Sequence, residues 1–79
     1  MSNEKLTHCF VEALGVTKAE VTDALAYNEI KQWDSVGHMA LVAALEAEFN
    51  LMLDTDEIIE LSSVAKAKEI LARHGVVFA

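Results

Sequence analysis

The chain has 79 residues with no proline and one cysteine, a formal net charge of −7 at pH 7, and apolar residues at 53% against aromatics at only 6%. That length bounds it to a single domain over residues 1–79, and the composition excludes a disordered chain, a disulfide scaffold and the basic footprint of a nucleic-acid binder. With no apolar run long enough to span a bilayer and nothing at the N-terminus resembling a signal peptide, a protein of the reducing cytoplasm is expected.

Leu6, Cys9, Phe10, Ala13 and Leu14 recur at helical spacing and stop at Gly15, which predicts a first helix closed by a left-handed terminator. Cys9 in that stripe reads as a small buried hydrophobe. Residues 16–34 form a long connection in which Thr17-Lys-Ala-Glu20 has the spacing of a capping box for a short helical turn. Val21, Leu25, Tyr27, Ile30 and Trp33 punctuate it, so it should lie over the core.

The second helix is expected over residues 35–49, with two apolar arcs. Leu41, Val42, Leu45 and Phe49 make the core stripe, while Val36, Met39, Ala40, Ala43 and Ala47 fall nearly opposite, flanked by Glu46. A small domain cannot easily bury both arcs, and the outer one suits a docking partner. Asn50 ends this helix. Asp54-Thr-Asp-Glu57 opens a short third helix with an acidic first turn, followed by Ile58, Ile59 and Leu61. Ser62-Ser63 caps the last helix, whose stripe is Val64, Ala67, Ile70 and Leu71; Gly75 closes it ahead of the apolar tail Val76-Val77-Phe78-Ala79. The expected fold is all-α: a small four-helix bundle with three main helices, one short third helix, and a long loop between helices one and two.

Charge is concentrated in the middle of the chain. Residues 20–60 hold Glu20, Asp23, Glu29, Asp34, Glu46, Glu48, Asp54, Asp56, Glu57 and Glu60 against Lys31 alone. Such a field repels nucleic acid and anionic lipid and favours basic protein partners in a salt-dependent manner.

Catalytic machinery is not expected. His8, His38 and His74 fall on three different predicted helices, no serine sits in a glycine-rich elbow, and neither metal-ligand spacing nor a phosphate-cradling loop occurs. Ser35 is distinctive instead. Preceded by Asp34, it opens the most strongly helical segment, where unpaired backbone amides welcome an anion, and His38 follows one turn later, within reach of an anion attached there.

Asp34-Ser35-Val36 followed by Gly-His-Met-Ala-Leu-Val-Ala-Ala-Leu-Glu-Ala-Glu-Phe49 resembles the acyl carrier protein family. The resemblance runs from Leu6 to Leu71 and matches discrete, stand-alone carriers. It implies that Ser35 receives phosphopantetheine from coenzyme A through a phosphopantetheinyl transferase, and that the arm's thiol carries acyl groups as thioesters in fatty acid, polyketide or another specialised biosynthesis. It further implies that partner enzymes with basic docking surfaces read the second helix, with Asp34, Val36, Met39, Ala43 and Glu46 as contacts, and that the carrier is a monomer. Family pockets for the acyl chain place Leu45, Leu53, Ile58 and Leu61 as lining candidates, with plain core as their alternative role.

Some residues depart from the family pattern. Val36 replaces the usual leucine, and Gly37 and Ala40 stand where fatty-acid carriers often bear acids. Lys31-Gln32-Trp33 does not match the glycines that typically precede the serine in peptidyl carriers. Alternatives that stay open are an aminoacyl carrier, such as a D-alanyl one, a peptidyl carrier, and an unmodified helical adaptor that binds a partner through helix two.

Overall fold

The structure, a computed structural model, describes residues 2–78. Four α-helices appear in chain order: α1 (Ser2–Leu14), α2 (Ser35–Phe49), α3 (Thr55–Glu60) and α4 (Val64–Arg73), with one turn of 3-10 helix at Lys18–Glu20. No strand occurs among the described residues; an isolated antiparallel bridge joins Ala26 to Ser63.

Local chemistry sets most of the boundaries. Gly15 takes φ +69° just after α1, and its N–H reaches Val11 O. At Lys18–Glu20 the Glu20 carboxylate reaches back to the Thr17 N–H (2.9 Å) and accepts from the Thr17 hydroxyl (3.1 Å). Asn50 closes α2 in the left-handed region, which asparagine tolerates better than most residues. Asp54 and Glu57 exchange side-chain-to-backbone hydrogen bonds across the first turn of α3, a full capping box that lets a helix of six residues begin cleanly. Ser63 Oγ accepts from Lys66 N–H to start α4.

The core is one cluster. Leu6, Cys9, Phe10 and Leu14 of α1 meet Leu41, Val42 and Leu45 of α2, with Leu53 and Leu61 flanking α3 and Val64, Ala67, Ile70 and Leu71 from α4. Each expected stripe is buried except Ala13 and Phe49, which are half-buried, the Phe49 ring lying at the edge 6.5 Å from that of Phe78. The apolar tail is thus docked through Val76 and Phe78; Ala79 lies outside the described residues.

The long connection is pinned at several points. Trp33 is fully buried and meets Phe10 edge-on at 5.3 Å. Tyr27 N–H donates to Ser62 O, Val64 N–H to Leu25 O, and the Lys68 ammonium sits 2.7 Å from Asp23 Oδ1. Asn28, at φ +64°, turns the chain so that its N–H meets Trp33 O.

Cys9 is buried in this core, its Sγ 3.6 Å from Ala44 O. Burial, then the nearby Glu48 charge, pushes the thiol up to about 11. The thiolate is the reactive form. At pH 8 the native protein should therefore react with iodoacetamide roughly 100-fold or more slowly than the denatured chain, since two pKa units remove about 99% of the thiolate. Equal rates in timed mass measurements would contradict the burial.

Glu57 ties α3 to the end of α4: His74 Nε2 lies 2.9 and 3.0 Å from its two carboxylate oxygens. That bond holds the carboxyl below its ordinary value of 4.5, with help from the Asp54 N–H and against the effect of burial. Because the unfolded chain then binds the proton more readily, Glu57 contributes stability in full above pH 4.5 and loses it as pH falls through the lower folded value. Thermal melts should show Glu57→Gln below wild type at pH 6, with the gap narrowing towards pH 3. A gap that stays constant across this range would assign the loss to packing rather than charge.

Candidate functional site at the start of helix α2

The first turn of α2 is built by Asp34, which adopts extended backbone (φ −106°, ψ −169°) while its Oδ1 accepts from Gly37 N–H at 2.8 Å and its carbonyl from His38 N–H at 2.8 Å. Asp34 is therefore the cap, and Ser35 is the first residue inside the helix. Ser35 is exposed, and its hydroxyl has no partner among the described residues. Capping satisfies the third amide of the helix, so the N–H groups of Ser35 and Val36 are left to solvent or to an anion.

Gly37 lets this turn pack closely. A Cβ there would collide with the backbone carbonyl of Gln32 and lie 3.1 Å from Leu14 Cδ2. The end of the long connection and α1 thus press directly against the helix start, and Ser35 stands on a firm base. Any side chain at this position would have no room for its Cβ.

His38 is committed elsewhere than the sequence suggested. Its Nδ1 accepts from Trp33 Nε1–H at 3.0 Å, so its Nε2–H donates to Ile58 O at 2.8 Å. Both ring nitrogens are used, which makes His38 a strut from the buried indole across to α3 and leaves it no group for an anion on Ser35. Tyr27 packs edge-on against both rings, 5.3 Å from His38 and 6.3 Å from Trp33.

The outer arc of α2 lies open. Val36 is 78% exposed and Met39 54%, and Ala40, Ala43 and Ala47 are exposed alongside them. Glu46 is half-buried and accepts from Leu53 N–H at 2.9 Å, so it anchors the turn between α2 and α3. Several other carboxylates of the acidic stretch are similarly engaged: Asp34 and Asp54 as caps, Asp23 with Lys68, Glu57 with His74, and Glu60 with Arg73 and Lys66. Apart from the caps, these contacts were beyond sequence reasoning because each joins groups that meet only once separate elements have folded together.

Among the lining candidates, Leu45, Leu53 and Leu61 are buried core residues and Ile58 is half-buried. Leu61 also floors a small cleft of about 110 Å³ with Tyr27, His38, Ile59 and Ser62. A wider open groove of about 400 Å³ lies along α1 and the 3-10 turn, lined by Asn3, Glu4, Thr7, His8, Val11 and Lys18. Among the described residues no group of three His, Cys, Asp or Glu side chains is placed to hold a metal ion, and no helix is long and apolar enough to cross a membrane. No family model matches the chain.

Proposed function

We propose that this protein is an acyl carrier protein, modified by phosphopantetheine on Ser35 and carrying acyl intermediates between enzymes of a fatty acid, polyketide or other specialised pathway. The observation that carries the reading is the exposed, unpartnered Ser35 hydroxyl at a capped helix start with two free amides beside it. A phosphodiester fits there: the hydroxyl is open to an incoming transferase, and the amides and helix dipole face the charge, favourable by about 0.3 to 1 kcal/mol at an exposed site. When bound, the group supplies a thiol that holds acyl cargo as a thioester. The four helices around one core agree with the four-helix bundle of that family.

The chain's own residues present the serine and do no bond-making. Asp34 fixes the helix start, Gly37 seats it against the loop, and Val36, Met39 and Ala43 offer an apolar strip to partners whose basic surfaces answer the acidic middle of the chain. A strip this small suits weak, brief docking by a cytoplasmic monomer. Incubation with coenzyme A and a broad-specificity phosphopantetheinyl transferase should add the mass of one arm, and fragmentation should place it on Ser35. No mass increment would favour the unmodified adaptor.

A further inference from the structure

The fold treats the sulfur atoms of the chain unequally. Three lie among the described residues, in Cys9, Met39 and Met52. Cys9 is 2% exposed and its thiol is pushed up to about 11, so it stays in the protonated, less reactive form. The two thioethers face solvent, Met39 at 54% and Met52 at 79% exposure. Their places differ. Met52 lies in the connection between α2 and α3, close to the end of α2 that is remote from Ser35. Met39 follows Ser35 by four residues, about 6 Å along the axis and on the same face of α2. Val36 stands three residues before it and Ala43 four after, both exposed, so Met39 occupies the middle of the apolar strip.

We infer that Met39 is a modification site for peroxides, and that its sulfoxide weakens docking of the enzymes that read α2; the second half rests on the carrier reading. The step balances with hydrogen peroxide alone. A sulfur lone pair takes one peroxide oxygen as the O–O bond breaks, the proton passes to the departing hydroxide, and water leaves; sulfur loses the two electrons that the peroxide gains. The product replaces a flexible apolar side chain by a polar one whose new oxygen only accepts hydrogen bonds. An enzyme covering the strip would bury that oxygen among the side chains of Val36, Ala40 and Ala43, none of which carries a donor, and an unpaired polar group is costly to bury. The fold is spared, since Met39 stands outside the core cluster. A sulfoxide on Met52 has no such consequence, because Met52 is off the strip.

The test treats the purified chain with hydrogen peroxide, removes the oxidant with catalase, and locates added oxygen by peptide mass mapping. It then measures the initial rate at which a broad-specificity phosphopantetheinyl transferase moves the arm from coenzyme A to Ser35, at limiting carrier concentration. Both thioethers should gain one oxygen and Cys9 none. The oxidised wild type should lose about tenfold in rate with a nearly unchanged melting curve, and methionine sulfoxide reductases should restore the rate. Met52→Leu should show the same loss. Met39→Leu, whatever its starting rate, should be as fast after peroxide as before. An oxidised wild type that keeps its rate overturns the inference, as does a Met39 without added oxygen, a Met39→Leu protein still slowed by peroxide, or a melting curve so lowered that the assayed protein is unfolded. Each of these leaves the carrier reading standing, whereas untreated protein that takes up no arm removes that reading and the docking half of the inference with it.

Discussion

Ser35→Ala should give a folded protein that takes up no phosphopantetheine. On the proposed carrier reading the loss is total, because the change deletes the hydroxyl that would bear the arm. The fold should survive because the helix does not depend on this hydroxyl: Asp34 caps the first turn, and Ser35 Oγ has no partner among the described residues. Alanine inside a helix is at least as favourable as serine, so stability should change by less than about 0.5 kcal/mol. Asp34→Ala makes the contrast. It keeps the hydroxyl and removes the cap, so it should lower stability by about 1 kcal/mol. Intact mass and thermal melts of the two variants separate the roles of two adjacent residues, and an arm found on the Ser35→Ala protein would sink the assignment.

Trp33→Ala should produce the largest loss of stability, about 3–5 kcal/mol, the range for truncating a buried large aromatic. Trp33 is fully buried, meets Phe10 edge-on, and donates its indole N–H to His38, which in turn holds Ile58 O. Its removal opens a cavity and releases the strut between α2 and α3 together. Small domains have about 5–15 kcal/mol in total, so the variant should be partly or largely unfolded at 37 °C in circular dichroism melts. Trp33→Phe keeps an aromatic against Phe10 but no N–H, and should lose about 1 kcal/mol from the hydrogen bond, besides the cost of lost volume. A Trp33→Ala protein as stable as wild type would mean that the loop is not held through this residue.

The helices were legible because their signals are local. Gly15, Asp54 with Glu57, Ser63 and Gly75 act on backbone groups within a few residues, and the stripes repeat at helical spacing. The same locality exposed the outer arc of α2, whose Val36, Met39 and Ala43 are as open as expected. Tertiary pairings were less accessible. Nothing near His38 in sequence announces that Ile58 will accept its N–H, and nothing near Glu46, expected to flank the outer arc as a partner contact, announces that the turn before α3 will bring Leu53 N–H to it. Glu57 and His74 meet only because α3 and α4 fold back together. The second helix begins at Ser35 as expected, and the structure adds that Asp34 is its cap, its carboxylate oxygen reaching Gly37 N–H while Ser35 already has helical backbone. Gly37 was visible in the sequence, yet the need for a glycine there, with the Gln32 carbonyl pressed against the helix, required the folded loop.

The docking of Phe78 against Phe49 has a practical side. Helix α2 spans 15 residues, so its two ends are about 21 Å apart. Phe49 is at one and Ser35 at the other. A fluorophore, bead or fused protein attached just beyond Phe78 would leave from the far end of the helix, and the serine would face outward from an immobilised layer, open to any enzyme supplied in solution.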